Sequence, residues 1–157
     1  MIRVFTENDR EYVIESHYKI YNKEYNYNET FKEFIAKSVD DYMKNSCNSR
    51  ECIWILEVNG QENGSIAITK VNEEVAQLRL FLINPHLRGG GYGKKLVETA
   101  IEFAEKQNYK VIKLCTNRDL KAARSLYEKY GFQIVDTTMK VLSDQEVIEE
   151  IWELKLS

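Results

Sequence analysis

Four of the chain's seven glycines lie between Gly89 and Gly93. Basic side chains flank this run, with Arg88 before it and Lys94 and Lys95 after it. Glycine adopts positive φ without steric cost, so such a run can turn several backbone N–H groups toward one point. A strand-like apolar segment precedes the glycines, and an amphipathic helix follows whose N-terminus adds positive potential. The spacing therefore predicts a binding site for a phosphate or a diphosphate.

The order of residues in this run separates it from two common phosphate-binding patterns. The dinucleotide pattern Gly-x-Gly-x-x-Gly fails because Lys94 stands at its third glycine when counting starts at Gly89. The P-loop pattern fails because Arg88 stands where its first glycine should be. The pattern Arg/Gln-x-x-Gly-x-Gly/Ala does fit, through Arg88, Gly91 and Gly93. A glycine-rich surface turn without a ligand is the simpler alternative.

A second segment narrows the choice. With Leu-Phe-Leu-Ile-Asn-Pro (80–85) before it, the glycine run resembles the pyrophosphate loop of the GNAT superfamily of N-acetyltransferases. Residues 114–117, followed by Ala-x-x-Leu-Tyr-Glu-Lys-x-Gly-Phe at 123–132, resemble another segment of that superfamily at the expected distance. Gln-Leu-Arg-Leu (77–80) and Trp-Glu-Leu (152–154) are similar to a subgroup often fused to MarR-type regulators. The resemblance covers nearly the whole chain.

Composition fits one soluble domain spanning residues 1–157. The chain is 43% hydrophobic and 30% charged, with a net charge of −3, so we expect no nucleic-acid partner. No apolar run approaches the ~20 residues needed to cross a bilayer, and the N-terminal segment shows no secretory leader, so we expect no membrane contact and a cytoplasmic location. Cys47, Cys52 and Cys115 lack metal-type spacing, so free thiols and no metal site are expected.

Apolar periodicity predicts a mixed α/β domain. The helices are expected near 7–23, from Thr30 onward with a capping box to Glu33, at 92–106 and at 120–130. The strands are expected at 2–5, 52–58, 65–71, 75–83, 110–116, 132–139 and 151–156. Short turns between the second, third and fourth strands indicate an antiparallel meander. The helix at 92–106 then implies a right-handed parallel crossover. The resemblance adds splayed central strands and helices on both faces of the sheet.

What the resemblance implies is transfer of an acetyl group from acetyl-CoA to an amine. It assigns Phe81, Leu82 and Ile83 to the pantetheine arm and places Asn117 and Leu120 near the mouth of the gap. Leu120 stands where the superfamily commonly has asparagine, which weakens that contact. The diphosphate is assigned to a run of seven residues: Arg88, Gly89, Gly90, Gly91, Tyr92, Gly93 and Lys94.

Tyr127 matches the superfamily tyrosine that supplies a proton to the departing thiolate. A phenol with a pKa near 10 stays protonated at neutral pH and can donate to a thiolate. Packing of the helix against the sheet is the alternative role for this side chain. The resemblance also implies that Tyr127 contacts the cofactor.

Residues for the acceptor side are less well marked. Gln77 stands where some superfamily members have a glutamate that acts as the general base. The side-chain amide of Gln77 cannot take up a proton at neutral pH. Strand alternation puts Gln77, Arg79 and Phe81 on one face, with Arg79 toward the acceptor, where it would bind an anionic group. A salt-bridged Arg79 is the alternative. His17 and Tyr25 belong to the segment that walls the acceptor site in the superfamily, although a partly buried structural role is the favoured alternative for His17.

Two classes of function follow. The first is an N-acetyltransferase acting on a primary amine of a small molecule or a peptide, by direct attack in a ternary complex. The second is a non-catalytic module that binds acyl-CoA as a sensor, which the changes at Gln77 and Leu120 would allow. A homodimer is possible in either case.

Overall fold

The computed structural model describes residues 1–44, 50–142 and 144–156. Cys47 and most of the expected 45–50 loop lie outside these residues. The four helices are α1 (Arg10–Tyr25), α2 (Glu29–Lys44), α3 (Tyr92–Lys106) and α4 (Lys121–Lys129), with short 3₁₀ turns at Glu7–Asp9 and Pro85–Leu87. The seven strands are β1 (Ile2–Val4), β2 (Cys52–Val58), β3 (Gln61–Lys70), β4 (Val75–Ile83), β5 (Val111–Asn117), β6 (Gln133–Leu142) and β7 (Gln145–Lys155). No helix in the described ranges is long and apolar enough to cross a membrane.

The strands form one sheet in the order β1-β2-β3-β4-β5-β7-β6. Each neighbouring pair is antiparallel except β4 and β5, which are parallel and joined through α3. The predicted meander and crossover are therefore confirmed, as is the mixed α/β class.

The parallel pair separates soon after it begins. Val75–Gln77 are in register with Val111–Lys113, and no further pair joins these strands in the described part of the sheet. The second half of β4 and the end of β5 thus leave a gap between them. Such a gap exposes unpaired backbone groups of both strands, which a ligand can use.

A bulge in β4 lies beside this gap. Arg79 is in register with Ala67 and Leu82 with Ser65, so two residues of β4 face one residue of β3. Leu80 takes a positive φ of 53°, and its carbonyl oxygen accepts a 2.6 Å hydrogen bond from Ser65 Oγ. The expected alternation is therefore wrong beyond Arg79. Phe81 packs on the α3 side of the sheet, whereas Leu80 packs on the α1 and α2 side.

Helices cover both faces of the sheet and enclose two apolar clusters. One cluster lies between the sheet and α3 and includes Leu78, Leu96 and Leu114. The other lies under α1 and α2 and includes Val13, Ile35 and Ile55. Burying a side chain of this size contributes about 1.5–3 kcal/mol, so the two clusters hold the helices against the sheet.

Several element boundaries differ from the sequence expectation, among them the start of β3 at Gln61 instead of Ser65. The last strand begins at Gln145, not at Ile151, and forms a hairpin with β6. Its acidic segment is accommodated because Glu150, although 1% exposed, accepts hydrogen bonds from Arg124 and Trp152. The expected capping box at Thr30 is also wrong, because α2 begins at Glu29 and Asn28 Oδ1 accepts a hydrogen bond from the Thr30 amide.

Candidate active site between the splayed strands

The glycine run folds as a turn that presents backbone N–H groups. Gly89 and Gly91 take φ of 86° and 85°, and Gly91 is the residue before α3. The amides of Tyr92, Gly93 and Lys94, in the first turn of α3, have no acceptor among the described residues. Free amides and a helix N-terminus together favour an anion at this point. This is the geometry expected for the diphosphate.

A cavity of about 540 Å³ opens beside this turn. We call it the loop cavity. Its walls come from the glycine turn, the end of β4, the end of α1 and one side of α4. Three cations line it, namely Arg88, Lys94 and Lys129. This charge and the volume of the cavity fit a ligand with a diphosphate and a long chain.

Two of these cations have informative neighbours. Arg88 is held by Glu24, whose carboxylate oxygens lie 3.0 Å and 3.1 Å from the guanidinium nitrogens. The ammonium of Lys94 lies beside that of Lys129 and lowers the pKa of Lys129. Two cations facing each other at one wall are stabilised by an anion between them.

Most of the residues predicted to bind the cofactor line the loop cavity. Those that line it are Phe81, Leu82, Ile83, Arg88, Gly89, Gly91, Gly93, Lys94 and Leu120. Gly90 and Tyr92 belong to the turn but do not line the cavity. Asn117 lies in a second cavity, where its amide donates a 2.7 Å hydrogen bond to the Tyr27 hydroxyl.

This second cavity, of about 500 Å³, lies between α1, α2 and the splayed ends of β4 and β5. We call it the aromatic cavity because Tyr21, Tyr27, Phe31, Phe34 and Phe81 contribute to its walls. Four residues line both cavities: Tyr21, Phe81, Leu120 and Ala123. The two cavities therefore meet at the gap in the sheet.

Tyr127 lies on the wall of the aromatic cavity, near this meeting point. It is 5% exposed and its ring packs against Phe81, Phe132 and Trp152. Its hydroxyl makes no hydrogen bond within the described residues. Burial raises the pKa of Tyr127 well above its usual range, with a smaller contribution from Tyr21. The phenol is thus a neutral donor at any ordinary pH.

His17 of α1 also lines the aromatic cavity and is 2% exposed. Its Nδ1 lies 2.8 Å from the Val13 carbonyl oxygen, which can only accept, so the proton is on Nδ1. Nε2 is buried and has no partner in the described part of the chain. Burial lowers the pKa of His17 to about 4. A histidine of this pKa cannot hold a proton taken from an amine at neutral pH.

The remaining acceptor-side predictions separate between the two cavities. Gln77 and Arg79 line the aromatic cavity, whereas Tyr25 lines the loop cavity and packs against Tyr21 and Tyr27. Cys115 lines the aromatic cavity as a free thiol, and Cys52 is free and buried. No group of side chains able to hold a metal ion occurs in the described ranges.

Residues 14–132 match the sequence profile of the Acetyltransferase (GNAT) family. This match covers well over half of the chain. The chain belongs to the GNAT family. The resemblance inferred from the two motifs is thereby confirmed, and with it the acyltransferase class. The finer similarity to the MarR-fused subgroup stays a prediction.

Curated GNAT relatives are similar over part of their length. N-acetylaspartate synthetase of Danio rerio is 35% identical over 88 residues, which are 55% of this chain and 31% of that protein. The uncharacterized N-acetyltransferase MJ1207 of Methanocaldococcus jannaschii is 28% identical over 138 residues, 84% of this chain and 60% of that protein. The matches thus span less than two thirds of these relatives.

Solved GNAT structures share the whole fold. An N-acetyltransferase from Staphylococcus aureus Mu50 superposes with a TM-score of 0.82 at 19% identity, covering 100% of this chain and 98% of that one. The yncA protein of Salmonella typhimurium, solved with acetyl-CoA, gives 0.79 at 15% identity and covers 100% of this chain and 94% of that one. At these identities the likeness establishes the fold alone.

Sequence reasoning missed several side chains that shape this GNAT site. Glu24 and Lys129 line the loop cavity, and Phe34 and the Lys140–Glu149 pair line the aromatic cavity. Lys129 belongs to the recognised 123–132 segment, so its charge was a usable signal. Glu24 and Arg88 form an ion pair although they are 64 positions apart in the sequence, and no local sequence pattern predicts such a contact.

Proposed function

We propose that this GNAT protein transfers the acetyl group of acetyl-CoA to a primary amine of a small molecule or a peptide. The observation that carries the proposal is the junction of two cavities at Tyr21, Phe81, Leu120 and Ala123. One cavity suits a diphosphate-bearing thioester and the other suits an amine with an apolar body. The names of several relatives, including N-acetylaspartate synthetase and N-acetyltransferase family 8 member 3, support N-acetylation as the reaction.

The cofactor's phosphates are proposed to lie on the free amides of Tyr92, Gly93 and Lys94, with Arg88 and Lys129 supplying charge. The unpaired edge of β4 at Phe81–Ile83 would receive the pantetheine arm. A neighbour with the same fold, solved with acetyl-CoA, supports acetyl-CoA as the ligand. The cradle of amides and cations is therefore the proposed basis of acyl-CoA affinity.

Bound acetyl-CoA supplies a thioester carbonyl that a neutral amine attacks, so that an amide bond forms, the carbon–sulfur bond breaks and the amine loses one proton. Tyr127 is proposed to donate a hydrogen bond to the departing sulfur. Full transfer of its proton is uphill, because a thiolate corresponds to a pKa near 8.5 and the pKa of Tyr127 is raised. The thiolate is therefore stabilised by this hydrogen bond and protonated from the amine or from solvent.

The described residues that line the aromatic cavity supply no strong base to this reaction. Gln77 is an amide, His17 has a lowered pKa, and Glu149 is paired with Lys140 at 3.4 Å. We therefore propose that the acceptor binds as the neutral amine, or loses its proton to solvent. The rate should then rise with pH toward the pKa of the acceptor amine, near that of a lysine side chain at about 10.4.

The test begins with binding. Coenzyme A at about 100 times its Kd should raise the unfolding free energy by roughly 2.7 kcal/mol, visible in a thermal melt. Tyr127→Phe should lower kcat by about 10²-fold, the lower end for loss of one hydrogen-bond donor to a developing anion, while leaving the melt nearly unchanged because its hydroxyl has no partner among the described residues. Tyr130→Phe, three positions away, is the matched control and should keep wild-type kcat.

Binding without turnover would change the conclusion. If coenzyme A shifts the melt and no amine in a broad panel is acetylated, the acyl-CoA sensor replaces the enzyme. Leu120 in place of asparagine is the observation that keeps this second function in view. If coenzyme A produces no shift, both functions are wrong. The single domain at 1–157 and the cytoplasmic location stay predictions.

A further inference from the structure

Arg79 carries a charge that its surroundings do not balance. Its guanidinium donates a 2.6 Å hydrogen bond to Ser38 Oγ and lies 5.6 Å from the centre of the Phe34 ring. No carboxylate of the described residues lies within ion-pairing distance of it. A guanidinium has five N–H donors, so most of them are unused in the protein.

The cost of this arrangement points to a missing partner. Arg79 is half-buried, and burial is the main reason why its pKa is lowered; the carboxylates of Asp41 and Glu51, beyond ion-pairing distance, offset this only in part. Holding a desolvated charge without a counter-ion is unfavourable, and chains that need only packing at such a position use an apolar residue. The nearby neutral contacts with Ser38 and Phe34 orient the guanidinium but do not neutralise it.

Among the charged side chains that line the aromatic cavity, Arg79 is the one whose charge is not compensated by another lining residue. Lys140 and Glu149 lie on the same wall and cancel each other at 3.4 Å. His17 is neutral because burial lowers its pKa to about 4. Among the described lining residues the cavity therefore has one net positive charge, set in walls that are mainly aliphatic and aromatic.

The position of Arg79 also orients the ligand. It lines the aromatic cavity but not the part shared with the loop cavity, and its side chain reaches toward α2. The shared part, at Phe81 and Leu120, is where an acceptor amine would meet the thioester. Arg79 and Phe81 are two positions apart on β4, on either side of the bulge at Leu80.

We infer that the acceptor is an amine that also carries an anionic group, bound by Arg79, with an apolar or aromatic body between the two. This inference deepens the proposed function and rests on it. The amine and the anion are separated by several bonds, since the amine lies at the junction of the cavities and the anion at the α2 side. The guanidinium fork matches a carboxylate or a phosphate-type group equally in shape.

The test uses a matched pair of rigid probes, 4-(aminomethyl)benzoate and its neutral isostere 4-(aminomethyl)benzamide. Calorimetry on the CoA-bound protein should give tighter binding of the benzoate by about 10- to 100-fold, the range for a hydrogen-bonded charge. Arg79→Gln should abolish this preference, and Arg79→Lys should restore part of it. The phosphonate analogue of the benzoate shows which kind of anion is preferred.

Arg10→Gln is the control, because Arg10 pairs with Asp40 and lies outside both cavities, and it should keep the preference for the benzoate. Coenzyme A binding by Arg79→Gln shows that the variant is folded. Equal binding of both probes to the wild type, binding of neither, or an unchanged preference in Arg79→Gln would overturn the inference. Absence of turnover with intact, Arg79-dependent binding would instead count against the proposed acetyl transfer alone.

Discussion

His17 shows how one hydrogen bond fixes the chemistry of a buried side chain. Donation from Nδ1 to the Val13 carbonyl determines the tautomer and leaves Nε2 as an acceptor with no partner in the described ranges. Burial then lowers its pKa to about 4, whereas an unfolded histidine has a pKa near 6.5. Folding therefore expels a proton from this residue in mildly acidic solution.

The sign of the resulting pH dependence is testable. Between about pH 4 and 6.5 the unfolded state binds the extra proton, so stability should rise with pH by up to about 3 kcal/mol through His17. In His17→Leu this increment should disappear, as measured by urea unfolding at several pH values. An equal slope in both proteins would show that His17 is accessible to protons when folded.

Glu62 contributes the opposite slope, so only the difference between the variants isolates His17. Burial, and then the neighbouring Asp9 carboxylate, raise the pKa of Glu62. A carboxyl of raised pKa favours the folded state while protonated, and this contribution is lost as pH rises through its folded pKa. Glu62→Gln is expected to remove that loss without affecting the His17 increment.

At the scale of the elements, one ion pair links the end of α1 to the start of the glycine run. Glu24 stands in the last turn of α1, and Arg88 stands at the start of the glycine run. A diphosphate at the free amides of α3 would compete with Glu24 for the same guanidinium. The negative charge of Glu24 also opposes an anion in the loop cavity.

Glu24→Gln should therefore tighten coenzyme A binding. The pair is partly exposed and such pairs are worth at most about 1 kcal/mol, so the gain in affinity should not exceed about fivefold. Glu15→Gln is the matched control, since Glu15 belongs to the same helix but pairs with Lys32. Weaker binding in Glu24→Gln would mean that Glu24 positions Arg88 for the ligand.

The elements also show where sequence reasoning succeeds. Bounds for β2, β4 and α3 follow from apolar patterns between turn residues, and the expected end of the last helix near residue 130 precedes Gly131, which has a φ of 93°. The bulge at Leu80 could not be read, because leucine has no preference for positive φ and the bulge depends on pairing with β3. The expected face of Phe81 was wrong for that reason.

The candidate site divides in the same way. The cofactor turn has a local signature in its glycines, so its residues could be named from the sequence. The aromatic cavity is assembled from elements that are far apart in the sequence, including α1, α2, β4, β5 and α4. Its net charge depends on which of its cations form ion pairs. That Lys140 is paired and Arg79 is not is decided by tertiary contacts alone.

On the scale of the whole molecule, the predicted homodimer stays untested, and β6 is the place to test it. This edge strand exposes apolar side chains, with Met139 67% and Val141 68% exposed. An exposed edge offers unpaired backbone groups to a second copy of the chain. We expect sedimentation to give twice the 18.5 kDa chain mass.

Val141→Lys should shift that equilibrium to the single-chain mass, because a charge on the edge opposes strand pairing. Val71→Lys, at another exposed apolar position, is the control and should leave the mass doubled. Association that is unaffected by Val141→Lys would place the contact elsewhere on the surface.

The parallel ladder between Val75–Gln77 and Val111–Lys113 is short, so it joins two halves of the sheet, β1–β4 and β5–β7, only weakly. The two halves share few backbone hydrogen bonds, so each can fluctuate with some independence. A molecule bound between them would couple the halves into one cooperative unit. Amide hydrogen exchange should then slow together in both halves on ligand binding, far from any atom the ligand touches.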